Sequence, residues 1–334
     1  MEEKGLGPLK LYTTVEEWPL LMPFRITGRT FATINVLLVC VEKSGCIGRG
    51  EAAGVYYKND QPDAMIQQIE TLRQTLESGA SRESIQAMLP AGGARNALDC
   101  ALWDLEAKLS VRSAWALMGL PAPRPLLTTF TCGADSPEVM ANVARNTYAQ
   151  ARAIKLKLTG EAIDTDRVRA VREARPDVWL GVDANQGFSP TFLERVLPAF
   201  QQMRVELIEQ PFPVGQEVLL RDLQSPIPIA ADESAQCRSD LRGLVGYFDV
   251  VNIKLDKCGG LTEGLAMARL AHELGFATMV GNMIGTSLAM APAFLLGQLC
   301  EVVDLDGPVF LKGDRIDSVR YENGFISCHT VPWG

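Results

Sequence analysis

Five short apolar runs between residues 154 and 256, each ending in a charge, constrain this chain more than any other feature. IKLK ends at Lys157, VWLGVD at Asp183, VELIE at Glu209, IPIAAD at Asp232 and VVNIK at Lys254. Successive end charges are 26, 26, 23 and 22 residues apart, and each gap reads as helical. Near-continuous apolar runs of this length suit parallel strands buried on both faces. The repeat is slightly tighter than the roughly 31 residues per unit of an average β/α barrel, whose active-site groups stand at the C-terminal ends of its strands. A charge that closes a buried strand is costly unless it faces a polar site. Three carboxylates and two lysines at consecutive strand ends therefore mark a site.

The flanking sequence completes the architecture. Residues 8–53 read as a small antiparallel sheet, with runs at Leu9–Thr13, Thr33–Glu42 and Cys46–Glu51, and loops at Arg25–Phe31 and Gly54–Asp60. Amphipathic helices follow at Ala64–Glu77 and Ala94–Leu109. Gly119–Pro125 reads as a linker, because its prolines deny it a continuous helix. The barrel begins at Leu126–Cys132, with a helix at Ser136–Ala151. After Lys254 come a helix at Leu261–Leu274, a strand at Ala277–Gly281, a helix at Thr286–Leu299 and an eighth strand at Glu301–Asp306. The expected fold class is α/β: a (β/α)7β TIM-like barrel over residues 121–314, with an N-terminal α+β capping domain over 1–120 that the tail at 315–334 completes.

Composition excludes several alternatives. Of the 334 residues, 47% are apolar and 22% charged, an ordinary globular balance. The net charge of −8 and the lack of a basic stripe argue against a nucleic-acid partner. The N-terminus carries no apolar signal core, and the most apolar stretch, Ser287–Cys300, is too short to span a membrane. Eight scattered cysteines with no C-x-x-C pair fit reduced thiols in a cytoplasmic protein better than a disulfide framework or zinc site.

Asp183, Glu209 and Asp232 are hard oxygen donors on adjacent strands. Three ionised carboxylates sit together only around a cation, and oxygen ligands favour Mg²⁺, with Mn²⁺ second. The competing reading is three separate rim acids. Lys155 and Lys157 share a strand face, and Lys254 arrives from across the ring. A lysine titrating near ~10.4 is a poor base, and a cationic neighbour or a metal favours its neutral form. Lysines on either side of a metal-bound carboxylate suit removal of an α-proton from one face and its return to the other, through a metal-stabilised enediolate. The alternative is that they merely balance the acids. Asp304 and Asp306, at i and i+2 of the eighth strand, form a carboxylate pair suited to an ammonium group; helix capping or a rim ion pair is the plainer use. His272 and His329 fall in a helix and the tail, which disfavours chemistry needing a strand-end histidine.

These motifs, with KLK at Lys155–Lys157, VDAN at Val182–Asn185, IEQP at Ile208–Pro211, ADES at Ala231–Ser234 and NIKLDKCGGLTE at Asn252–Glu263, resemble the enolase superfamily in its muconate-lactonising subgroup. The VDLDGP run and residues 89–108 further resemble the dipeptide epimerases of the L-Ala-D/L-Glu type. The resemblance implies a Mg²⁺-dependent isomerase acting on a dipeptide. It makes Lys157 and Lys254 the acid/base pair, with Lys155 beside them, and Asp183, Glu209 and Asp232 the metal ligands. Asn185 and Glu233 become supporting residues. Asp304, Asp306, Arg29, Tyr56 and Met283 become substrate contacts, with Arg25 a rival to Arg29 for reading the substrate side chain. It further implies peptidoglycan-peptide metabolism and a homo-oligomer. Other activities on the same scaffold are an N-acylamino-acid racemase, an o-succinylbenzoate synthase or a cycloisomerase; a non-catalytic, metal-stabilised binding protein is the remote alternative.

Overall fold

The computed structural model describes residues 8–26 and 29–334, and their side chains except at positions 24–30. Strands β1 (Lys10–Ile26), β2 (Arg29–Lys43) and β3 (Cys46–Ala52) form an antiparallel sheet in that order. β1 and β2 are much longer than the apolar runs suggested. Their pairing skips between Pro19 and Phe24, then resumes through Phe24–Phe31 to Ile26–Arg29. The segment read as a loop at Arg25–Phe31 is therefore mostly the outer end of a hairpin. Prolines remove ladder donors at the irregularity, while the β-favouring residues from Thr30 to Ile34 continue the strand beyond it.

Helix Gly93–Ser110 lies across this sheet, so close to β3 that a Cβ on Gly50 would stand 2.0 Å from the Ala97 carbonyl oxygen. The single helix expected at Ala64–Glu77 is two, Pro62–Thr71 and Arg73–Glu77, divided at Leu72. A further helix, Arg82–Met88, was not read from the sequence; Ser81 and Ser84 cap it reciprocally.

Strands β4 (Leu126–Leu127) and β5 (Thr129–Cys132) open the second region. It continues with β6 (Ala153–Lys157), β7 (Trp179–Asp183), β8 (Leu207–Glu209), β9 (Ile229–Ala231), β10 (Val250–Lys254), β11 (Ala277–Gly281) and β12 (Val302–Val303). β5 to β12 make one eight-stranded parallel sheet in chain order, the (β/α)7β barrel arrangement. The sequence placed the five end charges at strand ends, and they stand there: Lys157, Asp183, Glu209 and Lys254 are last residues, and Asp232 follows Ala231. The two tightest units carry only short helical segments, Glu217–Leu220 and Leu241–Leu244. The helix expected at Ser136–Ala151 is shorter, Pro137–Asn142, and widens into a π-turn over Val143–Thr147.

The eighth strand is shorter than expected. It ends at Val303, so Asp304 and Asp306 lie in the turn beyond it. The ring's first and last strands meet at a seam fastened by side chains. Leu305 N–H donates to Thr128 Oγ1 at 2.9 Å, Thr131 N–H donates to Asp306 Oδ2 at 2.6 Å, and the Thr129 hydroxyl donates to Asp304 Oδ1.

The tail contributes to both regions. Strand β14 (Phe325–Ser327) pairs with β4 on one side and with β13 (Arg320–Glu322) on the other. Farther on, Trp333 Nε1 donates to the Arg49 carbonyl at 2.9 Å and Gly334 N–H to Asp104 Oδ1 at 2.8 Å, back on the first region.

Candidate active site

The C-terminal ends of the barrel strands open into a cavity of about 230 Å³, roofed by residues of the first sheet and the loop after it. Its lining includes Lys155, Lys157, Asn185, Asp232, Glu233, Lys254, Met283, Asp304, Asp306 and Tyr56. The Arg29 and Arg25 side chains lie outside the described residues.

Asp183, Glu209 and Asp232 are buried, and each offers one oxygen within 4.8 Å of the others. A hard cation bound at ~2.1 Å places its ligand oxygens about 3–4 Å apart, so this donor set fits Mg²⁺ or a similar ion. Adjacent parallel strands create the convergence: Asp183 is in register with Glu209.

Every acid of this trio also faces a lysine. Lys157 Nζ is 2.5 Å from Asp183 Oδ2, Lys155 Nζ is 3.1 Å from Glu209 Oε2, and Lys254 Nζ is 2.6 Å from Asp232 Oδ2. Lys155 also donates to Asp304. β6 and β10 stand four places apart in the eight-stranded order, so Lys157 and Lys254 approach the cavity from opposite sides.

The electrostatics divide the acids into two sets. Burial works against the charge on Asp232, but Lys254 and Lys257 outweigh it and hold its pKa low. Asp304 is likewise held low by Lys155 despite burial. Burial together with the neighbouring Asp183 raises Glu209 to about 7, burial and the charge of Asp232 raise Glu233 to about 8, and burial and Asp304 raise Asp306 to about 6. Burial opposes the ammonium forms of Lys155 and Lys254. Asp304 with Glu209 around the first, and Asp232 with Glu209 around the second, nonetheless raise their pKa values.

Three supporting residues escaped the sequence reading. Lys257, almost wholly buried, donates to Asp232 Oδ1 at 2.6 Å and to the Asn252 carbonyl at 3.0 Å. Asn252 Nδ2 donates to Glu209 Oε1 at 2.7 Å. Gln210 Oε1 accepts the Asp232 and Ser234 amides at 2.9 and 3.1 Å. Each lies inside a motif already singled out, and Asn252 shares the face of Lys254 two residues on; that spacing was the available signal. Asn185 donates its amide to Asp183 Oδ1 at 2.8 Å from a left-handed backbone, φ 42°. The buried Asn185 Oδ1 and Glu233 Oε2 have no protein partner among the described residues.

Comparisons with known proteins agree with this geometry. Residues 9–119 match the family model for the mandelate racemase / muconate lactonizing enzyme N-terminal domain, and residues 138–332 match that for the enolase C-terminal domain-like region. The chain is similar to an L-Ala-D/L-Glu epimerase of Escherichia coli (strain K12), 39% identical over 310 residues, 92% of this chain and 96% of the relative. It is also similar to an N-acetyl-D-glutamate racemase of Pseudoalteromonas sp, 42% identical over 249 residues, 74% of this chain and 78% of the relative. Among solved structures, an enolase family member from Agrobacterium tumefaciens with homology to dipeptide epimerases, bound to sodium and L-Ala-L-Glu, superposes with a TM-score of 0.92. It is 38% identical, and the match covers 98% of this chain and all of that one.

Proposed function

The chain belongs to the mandelate racemase / muconate lactonizing enzyme family of the enolase superfamily, and from that membership we propose that it is a Mg²⁺-dependent dipeptide epimerase. It inverts the α-carbon of the C-terminal residue of a dipeptide such as L-Ala-L-Glu. One observation carries the reading: a cation-binding carboxylate trio lies between two buried lysines on opposite sides of one cavity.

In this reading Asp183, Glu209 and Asp232 hold the cation. When bound, it would supply positive charge at the substrate's terminal carboxylate, offsetting the negative charge that builds there as the α-proton leaves. The protein's own groups move the proton. Lys157 or Lys254, in its free amine form, takes it from one face of Cα, and the opposite ammonium returns one to the other face. Lys155 keeps Glu209 and Asp304 compensated on the Lys157 side. Asn185 orients Asp183, and Glu233 borders the substrate. Asp304 and Asp306 receive the free ammonium of the dipeptide, with Tyr56, Met283 and Arg29 around its side chains. The capping unit is taken as residues 1–120 with 315–334, and the catalytic barrel as 121–314.

The reading extends to cytoplasmic peptides derived from peptidoglycan and to a homo-oligomer. Eight free cysteines support a reducing compartment, and no helix among the described residues is long and apolar enough to cross a membrane.

The second reading is an N-acylamino-acid racemase, favoured by the prior commitments of the acidic pair: Asp304 to Lys155 and Thr129, Asp306 to the Thr131 amide. Incubating the protein and Mg²⁺ in D₂O with free and N-acetylated dipeptides and amino acids tests both. The epimerase incorporates one deuterium at Cα and inverts it in free dipeptides. Preferential turnover of N-acetylated amino acids replaces that assignment, and exchange in neither class defeats both.

A further inference from the structure

The loop carrying Tyr56 and Tyr57 is fastened at defined points, two on the barrel and one on the helix that covers the first sheet. At its entry, Asp256 Oδ1 accepts the Gly54 N–H at 2.8 Å. Asp256 is buried and stands two residues beyond Lys254, in the one-turn helix Leu255–Cys258. In the middle, Gln236 Nε2 donates to the Tyr57 hydroxyl at 3.0 Å and to the Glu233 carbonyl at 2.8 Å. At the exit, Asp60 Oδ2 accepts the Gly93 amide at 2.7 Å. Gly54 itself has φ 75°, and a Cβ there would lie 2.1 Å from both the Asp60 carbonyl oxygen and Met65 Cε. The entry geometry therefore admits no larger residue.

The rings on this loop, together with Phe31 of β2, form a connected wall. Phe31 and Tyr56 meet edge to face at 5.8 Å, and Tyr56 and Tyr57 at 5.2 Å. All three line the cavity. Asp256 ties the loop's entry to the turn that directly follows Lys254, while Gln236 ties Tyr57 to the Glu233 carbonyl, next to the Asp232 that pairs with Lys254. A buried carboxyl with no cation on it, hydrogen-bonded to the Gly54 amide and the Asn96 side chain, is a costly way to hold a loop entry. The cost is understandable where the position of that amide matters.

We propose that Asp256 is a positioning residue that sets substrate selectivity: by holding Gly54 from the turn after Lys254, it fixes the distance between the Tyr56–Tyr57 wall and the base. The inference rests on the epimerase reading above. It makes the side-chain pocket a rigid gauge, coupled to the reacting carbon, because misplacement by about 1 Å near a reacting centre costs on the order of 10²-fold in rate. Substrates whose side chains fit the gauge place Cα within reach of Lys254; larger ones are pushed off it.

The test compares Asp256→Ala, which removes the acceptor, with Asp256→Asn, which keeps a carbonyl for Gly54. Three quantities are measured: the kcat/KM ratio of L-Ala-L-Glu to L-Ala-L-Phe, hydrogen exchange at residues 54–60, and Mg²⁺ affinity by calorimetry with the metal alone. In the Ala variant the ratio shifts about tenfold or more toward the larger side chain, and the Gly54 amide loses its protection. Its Mg²⁺ affinity stays within about threefold of the parent, and the Asn variant keeps the parent ratio. An unchanged ratio in an Ala variant whose Gly54 amide has opened overturns the proposal, as does an equal shift in both variants. If the Ala variant fails to fold, Asp256→Ser, too short to reach Gly54, replaces it with the same criteria. Absence of α-proton exchange in the parent enzyme defeats the epimerase reading instead, and the hydrogen-exchange arm still reports whether Asp256 holds the loop.

Discussion

Two sets of buried carboxylates serve this protein in opposite ways. At the strand ends, Asp183, Glu209 and Asp232 crowd together with oxygens aimed at one point, and lysines hold them there. Where the first sheet and its helices meet the barrel, Glu51, Asp99, Asp104 and Asp256 are spread out, and each accepts backbone amides. Glu51 takes Thr286 N–H at 2.7 Å, Asp99 takes Thr262 N–H at 2.9 Å, Asp104 takes Gly334 and Arg49 N–H at 2.8 Å, and Asp256 takes Gly54 N–H. Arg95 reciprocates from the helix side, donating to the Cys258 carbonyl at 2.5 Å. Burial alone therefore does not distinguish an active-site acid. Convergence on a shared point does, while an acid spent on backbone amides of a distant segment marks a joint between parts of the chain.

The largest effects are expected at the strand ends. Asp183→Asn should lower kcat by at least ~10²–10³ and weaken Mg²⁺ binding, with little change in the thermal midpoint, because the relief of like charges is set against the buried ion pair lost to Lys157. Lys157→Ala and Lys254→Ala should each abolish epimerisation; full turnover in either, followed by chiral chromatography, breaks the two-base scheme. Next comes Asp306→Asn, which keeps an acceptor for the Thr131 amide but removes the charge. It should cost free dipeptides roughly 10-fold or more in kcat/KM, the worth of a charge-assisted hydrogen bond, and N-acylated substrates far less. Equal losses would erase the dipeptide assignment.

At the junction the balance reverses. Asp99→Ala should leave kcat within a few-fold, yet lower stability by about 1–3 kcal/mol in denaturant titration, since it orphans the Thr262 amide. A large loss of kcat with little loss of stability would break the contrast between the two regions.

The smallest effect is a slope. Burial raises Asp99 to about 6 and Asp256 to about 7. Both folded values exceed the usual unfolded ~3.9, so between these limits the folded state binds more protons and stability falls as pH rises. The contribution is full below about pH 4 and lost by about pH 7. Asp99→Asn and Asp256→Asn should each flatten that part of the stability–pH curve, measured by denaturant midpoints on the metal-free protein.

The same contrast explains what the sequence could and could not reveal. Asp183 or Lys254 closing an apolar run is conspicuous, because a strand has a period of two and a charge there has nowhere neutral to go. Asp99 and Asp104 sit in a helix whose Ala97–Leu98–Ala101–Leu102–Leu105 face reads as core, and their partners lie 163 and 230 residues away. Nothing local announces such a pairing. Lys257 was hidden for a related reason: it follows the strand by three residues, where a lysine ordinarily snorkels to water. The outer β1–β2 hairpin was obscured because the pairing skips between Pro19 and Phe24, so no continuous apolar alternation runs from the Leu9–Thr13 strand to its outer end.

The seam between β5 and β12 gives the acidic pair a double duty. If Asp304 and Asp306 receive the guest's amino terminus, the clasp of the hoop and the grip on its cargo are the same two side chains. Replacements at 306 must then still accept the Thr131 amide, so divergence toward uncharged guests runs through asparagine before it can reach an aliphatic residue. A loaded enzyme should also be harder to open at this joint than an empty one.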